Sequence, residues 1–174
     1  TASRTMDWLD GLVDDADWFC WMSFPDPHHP WDPPREAAQR FDWRDLPVPE
    51  SSPGSPEKCL EVLAEKPRHW TEWYTGEAQF AFEVPPTFVP AETTADRIRE
   101  VNAMVHAENE LIDEAIGQVL AYVKDRGWDA DTEIIFTTDH GEFQGDFGML
   151  FKGPYHIEAL MHVPLIWRPA PARG

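Results

Sequence analysis

Apolar residues recur three, four or seven positions apart along one long stretch, at Ile98, Val101, Val105, Ile112, Ile116, Val119 and Val123. That spacing predicts a helix. Thr93 or Thr94 can cap its start, Asp96 is favourable in the first turn, and Gly127 should stop it just after Arg126. Positions 98, 105, 112 and 119 also fit a heptad, but Glu108 and Ala115 fall in the intervening seam and Leu111 and Leu120 widen the stripe. A helix packed on a sheet accounts for this pattern better than a coiled coil. Met6, Leu9, Leu12 and Val13 predict a shorter amphipathic helix over 5–13. His106 and Glu108 on the long helix read as surface or second-layer residues. The periodicity then changes. Trp18-Phe19-Cys20-Trp21-Met22-Ser23 within 17–24 and Ile134-Ile135-Phe136 within 132–138 read as buried strands. Val163, Leu165 and Trp167 alternate within 162–168 and give a third. Helices alternating with strands predict an α/β fold, a largely parallel sheet flanked by helices.

Residues 35–92 follow neither pattern. Pro47, Pro49, Pro53, Pro56, Pro85, Pro86 and Pro90 punctuate them, and Ser51-Ser52-Pro53-Gly54-Ser55 reads as an exposed turn. Short helices are expected over 57–66 and 68–76. Trp70, Trp73, Tyr74, Phe80 and Phe82 could wall a substrate site, but such clusters more often pack a long excursion onto its domain, and that is the expectation here.

The chain's 174 residues suffice for one domain with a real core. Its formal net charge of −18 argues against nucleic acid and against an anionic membrane surface as partner. An acidic protein repels an anionic substrate, yet beyond about 10 Å that repulsion is screened at ordinary salt, so a local cation can reverse it in a pocket. Two cysteines make no disulfide framework, and Cys20, in an apolar run, should be a small buried hydrophobe. No apolar run of membrane length occurs. No signal peptide is visible either, which favours the cytoplasm slightly and leaves localisation open.

Chemistry concentrates after the second strand. Thr137-Thr138-Asp139-His140-Gly141-Glu142 leaves its end. A carboxylate and an imidazole side by side at a strand exit are a metal-site candidate. The alternative is a capping Asp beside a solvated His. Lys152 follows twelve residues after His140, within Phe151-Lys152-Gly153-Pro154-Tyr155-His156. It is a point charge suited to an anionic group. Beyond the first strand lies Phe24-Pro25-Asp26-Pro27-His28-His29-Pro30-Trp31, whose prolines leave the histidines few conformations.

Taken together, Pro27-His28-His29-Pro30, the 136–142 segment, Gly145-Asp146-Phe147-Gly148, Lys152-Gly153 and Val163-Pro164-Leu165-Ile166-Trp167 resemble the sulfatases of the alkaline-phosphatase superfamily. The order and spacing match the latter part of that family's catalytic domain over nearly the whole chain, apart from the variable 35–92 excursion. The resemblance implies a partial alkaline-phosphatase-like fold and hydrolysis of a small-molecule or glycan sulfate ester. It also implies a divalent cation (calcium first, manganese or magnesium as alternatives) and a formylglycine nucleophile. Asp139 and His140 would be metal ligands. His28 would contact the sulfate or assist the leaving oxygen, and Lys152 would bind sulfate oxygens. His29, Tyr155 and His156 would be rim residues.

Two family features are missing. The Cys/Ser-x-Pro-x-Arg motif that yields formylglycine does not occur: Cys20 is followed by Trp21-Met22-Ser23 and Cys59 by Leu60-Glu61-Val62. No early paired-aspartate strand end occurs either, since Asp14-Asp15 closes a helix-like stretch. The expectation is therefore a C-terminal part of a sulfatase catalytic domain whose nucleophile block lies upstream, so that this chain alone is inactive. The alternatives are a phosphonate monoester or phosphodiester hydrolase of the same superfamily, and a non-catalytic domain that binds a metal or a sulfated glycan.

Overall fold

In a computed structural model, which describes residues 1–13, 17–79 and 84–171, the chain divides into two compact units. Residues 1–40, 105–136 and 165–174 form the first, and 41–104 with 137–164 the second. The elements follow in the order α1 (Ala2–Asp10), α2 (Arg35–Ala38), α3 (Pro56–Leu63), α4 (Arg68–Thr75), α5 (Ala95–Asp125), β1 (Ile134–Thr137), α6 (Glu158–Met161) and β2 (Leu165–Arg168), with short 3-10 turns at 43–45, 90–92 and 146–148.

The helices start and stop where local chemistry directs. Ser55 caps α3, its hydroxyl accepting the Lys58 N–H at 3.4 Å, with Pro56 at the first helical position. Thr94, not Thr93, caps α5 by accepting the Arg97 N–H at 3.1 Å. Gly76 ends α4 in the left-handed conformation, at φ 78°. Gly127, at φ 72°, follows α5 and lets the chain turn away.

In the first unit, Ala2 and Leu9 of α1 pack with Val119 and Val123 of α5, and Met6, Leu12, Trp18, Met22 and Trp128 close over them. The expected first strand does not form. Residues 17–24 alternate between exposed and half-buried side chains, as a strand would, yet carry no ladder among the described residues. A strand needs a partner, and period-2 patterning alone does not supply one. Cys20 is accordingly half-buried rather than buried. The other two strands form and pair as a two-stranded sheet, β1 beside β2. They are not buried: Ile135 is 62% exposed and Leu165 73%. Two short strands have little surface of their own with which to cover one another. Among the described residues the sheet is thus smaller than the largely parallel one expected. Asp14 and Asp15 lie outside the described residues.

In the second unit the aromatic residues of α4 supply the core. Trp70, Trp73 and Tyr74 are all at most 5% exposed, so they pack the excursion rather than wall an open site. Phe80 and Phe82 lie outside the described residues. The N-terminal part of α5 joins this core through Ile98 and Val101. Asn102 Nδ2 donates to the Gln144 carbonyl at 3.2 Å. No helix among the described residues is long and apolar enough to cross a membrane.

Candidate active site

The second unit holds five of the seven candidate residues. Asp139 and His140 leave β1 two and three residues after its end at Thr137. Asp139 Oδ1 accepts the His140 backbone N–H at 2.9 Å, and its other oxygen lies 3.7 Å from His140 Nε2. Partial burial raises the Asp139 carboxyl, but the His140 backbone N–H and imidazole outweigh it and hold the carboxyl below its ordinary range. It stays ionised at neutral pH and offers a hard oxygen. The adjacent His140 Nδ1 lies 2.8 Å from the Gly141 carbonyl oxygen, which can only accept, so Nδ1 is the donor there and Nε2 is the nitrogen nearer Asp139.

Gly141 is required by close approach. Its N–H donates to the Leu160 carbonyl at 2.9 Å. A Cβ added there would overlap the Ala159 carbonyl oxygen and come within 3.0 Å of the Ala159 carbonyl carbon. Helix α6 therefore braces the strand exit backbone against backbone.

Lys152 reaches back to the same segment. Its Nζ donates to Glu142 Oε1 at 3.3 Å, with the two side chains 19% and 11% exposed. The loop between them is unusually shaped. Gln144, Phe147 and Phe151 all take positive φ, at 46°, 55° and 67°. Bulky residues rarely adopt that conformation, and such strain concentrates at functional sites. Two backbone bonds hold the loop closed, Phe143 N–H to Phe151 O at 2.9 Å and Gly145 N–H to Met149 O at 2.7 Å. Phe151 thereby sets the backbone entering Lys152.

Tyr155 is 3% exposed, and burial pushes its phenol well above the ordinary range. Its ring lies 4.8 Å from Trp70, 5.1 Å from Phe143 and 5.3 Å, stacked, from His69. It is a packing residue under the loop rather than part of an open rim. His156 is exposed.

His28 and His29 belong to the first unit. Their rings stack at 4.2 Å, and His29 meets Trp31 edge-on at 5.8 Å. His28 N–H donates to Pro25 O at 3.2 Å, and its Nδ1 lies 2.6 Å from the His29 carbonyl oxygen. Both side chains are half-buried.

Two contacts escaped sequence reasoning. Glu142 lies inside the quoted motif, but nothing local marks it as the partner of Lys152, ten residues on. Glu108, expected at the surface or in a second layer, is not at the surface: it is 4% exposed and accepts the Asp32 backbone N–H at 3.1 Å.

Asp139 and His140 carry two donor types that a divalent cation takes, an anionic oxygen and an imidazole nitrogen. No group of three or more His, Cys, Asp or Glu side chains among the described residues could hold an ion. Calcium takes about 6–8 oxygen ligands. The pair therefore fits part of a shell, not a whole one.

A profile of the Sulfatase family matches residues 1–173. The chain is 47% identical over 60 residues to the multifunctional alkaline phosphatase superfamily protein PehA of Trinickia caryophylli, covering 34% of this chain and 11% of that protein. It is 26% identical over 149 residues to the uncharacterized sulfatase YidJ of Escherichia coli, covering 84% of this chain and 25% of that one. Among solved structures, the phosphonate monoester hydrolase of Agrobacterium radiobacter superposes with a TM-score of 0.81 at 26% identity, over 97% of this chain and 32% of its own. That of Silicibacter pomeroyi gives 0.76 at 27% identity, over 98% and 33%. The chain spans between about a tenth and a third of the length of these relatives. With a family profile matched over all but its last residue, this chain belongs to the sulfatase family.

Proposed function

We propose that the chain is the C-terminal part of the catalytic domain of a metal-dependent sulfuric ester hydrolase. The observation that carries this reading is the return of Lys152 to the strand-exit segment, where its half-buried ammonium meets Glu142 at 3.3 Å, two residues beyond His140. A half-buried cation held by the segment that also carries Asp139 and His140 suits a tetrahedral dianionic or monoanionic ester group. Lys152 would exchange Glu142 for the non-bridging oxygens and hold their charge in place while the electron pair of the breaking ester bond leaves on the bridging oxygen. Asp139 and His140 would hold a divalent cation in part, calcium first, with its remaining ligands and the nucleophile supplied upstream. When bound, such an ion supplies Lewis-acid polarisation of the ester oxygens. By the family resemblance alone, His28 would assist the leaving oxygen, with His29 stacked on it at 4.2 Å.

A second reading is favoured by a specific finding: both solved relatives above bear the name phosphonate monoester hydrolase. A phosphonate monoester presents the same tetrahedral anionic oxygens to Lys152. Assay of the full-length protein on an aryl sulfate and on a phenylphosphonate monoester separates the two. A higher kcat/KM on the aryl sulfate supports the first reading, and a higher value on the phosphonate ester replaces it with the second.

Calorimetric titration of this chain with calcium or manganese should give weak binding, because the local ligand set is incomplete. Asp139→Ala and His140→Ala should each weaken it further. Binding unchanged in both variants would remove the pair from the metal site.

A further inference from the structure

Glu108 is the one acidic side chain among the buried residues of the described chain, at 4% exposure. A buried carboxylate is costly without a reason. It lies in the half of α5 that belongs to the first unit. Its Oε1 accepts the backbone N–H of Asp32, 76 residues away, at 3.1 Å, and its Oε2 has no hydrogen-bond partner. The loop it grips carries the two candidate histidines. Proline occupies 25, 27, 30, 33 and 34, and none of these has an N–H. Asp32 therefore carries one of the few backbone donors by which this loop can be tied to a helix. From that anchor the loop is stiff: Trp31 adjoins Asp32 and meets His29 edge-on at 5.8 Å, and His29 stacks on His28 at 4.2 Å. A hold at Asp32 is thus relayed to the His28 ring through two ring contacts.

We propose that Glu108 is a positioning residue, fixing the His28–His29 loop by accepting the Asp32 backbone N–H from within α5. The structural part stands on this contact alone. Its bearing on ester hydrolysis rests on the reading of His28 given above. Burial, together with the charges of Asp26 and Asp32, pushes the Glu108 carboxyl up to about 7, so near neutrality a neutral amide should imitate it well.

The test uses two variants of the chain. Glu108→Gln keeps an oxygen where the Asp32 N–H needs one. Glu108→Met keeps the bulk, suits the buried position and removes the acceptor. Amide hydrogen exchange and the His28 imidazole resonances are followed by NMR, with α5 amides as the control for folding. Glu108→Met should speed Asp32 exchange by about tenfold, the scale of one lost hydrogen bond. It should also move and broaden the His28 signals, while Glu108→Gln leaves both near wild type. Unchanged Asp32 exchange in Glu108→Met, or a Glu108→Gln variant that behaves like Glu108→Met, overturns the proposal. In the full-length protein, Glu108→Met should lower kcat on the preferred ester with little change in KM, and Glu108→Gln should restore it. If the NMR result holds and hydrolysis is unaffected, the role given to His28 fails while the positioning by Glu108 stands.

Discussion

Replacing Lys152 by methionine in the full-length protein should lower kcat by about 10²–10³-fold, the usual consequence of removing one preorganised charge aimed at a transition state. Methionine keeps the aliphatic stem, so the packing of Phe151 and of the strained loop is preserved and the loss reports the charge. The lysine is only 19% exposed and its partner Glu142 only 11%, so neither is heavily screened by water. KM should change less than kcat, because charge on the ester oxygens grows toward the transition state. Glu142 competes for the same ammonium, and Glu142→Gln should therefore lower KM for an anionic ester. Steady-state kinetics on the preferred substrate checks both. Turnover by Lys152→Met within about threefold of wild type would take Lys152 out of the chemistry and leave it as a structural ion pair, whose removal should show only in stability.

Gly141→Ala should be the most damaging single methyl group in the second unit. The atoms it meets are all backbone: the Ala159 carbonyl oxygen and carbon and, at 3.4 Å, the Leu160 Cα. No rotamer change relieves a collision with main chain, so either α6 or the strand exit must move. Overpacking of this kind costs about 2–4 kcal/mol. The shift would also break the Gly141 N–H bond to Leu160, 2.9 Å long, and displace His140, whose Nδ1 rests on the Gly141 carbonyl. Urea unfolding of the chain should register the loss, and metal titration should weaken in parallel. A change in stability below about 0.5 kcal/mol would mean that α6 yields freely and that the brace is not rigid.

Much of the local structure was legible because its causes are local. Thr94 and Gly127 mark the ends of α5 through one side-chain oxygen and one left-handed residue, and a sequence displays both. The stripe from Ile98 to Val123 and the β-branched run at 134–136 are periodic signals of the same kind. Residues 17–24 misled because their alternation is genuine while strand formation depends on a neighbour, which the segment does not itself contain. The burial of β1 was overestimated for the same reason. Asp139 and His140 were legible as an acid–histidine pair at a strand exit, and Lys152 as a cation in the loop that follows; the roles given to them are the proposal made above. Glu142 and Glu108 were not legible. Each is defined by what it touches, Lys152 in one case and a backbone N–H 76 residues away in the other. No composition or spacing rule carries that information. Tyr155 illustrates the converse: a polar aromatic beside Lys152 suggests a rim, and only its packing against Trp70, Phe143 and His69 reveals it as core.

The aromatic packing beneath the strained loop has an optical consequence. Trp70 is 5% exposed, and its ring lies 6.1 Å from Phe143, the residue next to Glu142, and 5.5 Å from Phe147. Its fluorescence should be blue-shifted and shielded from iodide, and subtraction of the Trp70→Phe spectrum isolates it from the other tryptophans. An oxyanion that draws Lys152 away from Glu142 changes the electric field one residue from Phe143, within reach of the excited indole. Sulfate added to the chain should therefore shift the Trp70 difference spectrum in the wild type and leave it still in Lys152→Met, reporting anion binding by emission alone, with no turnover required.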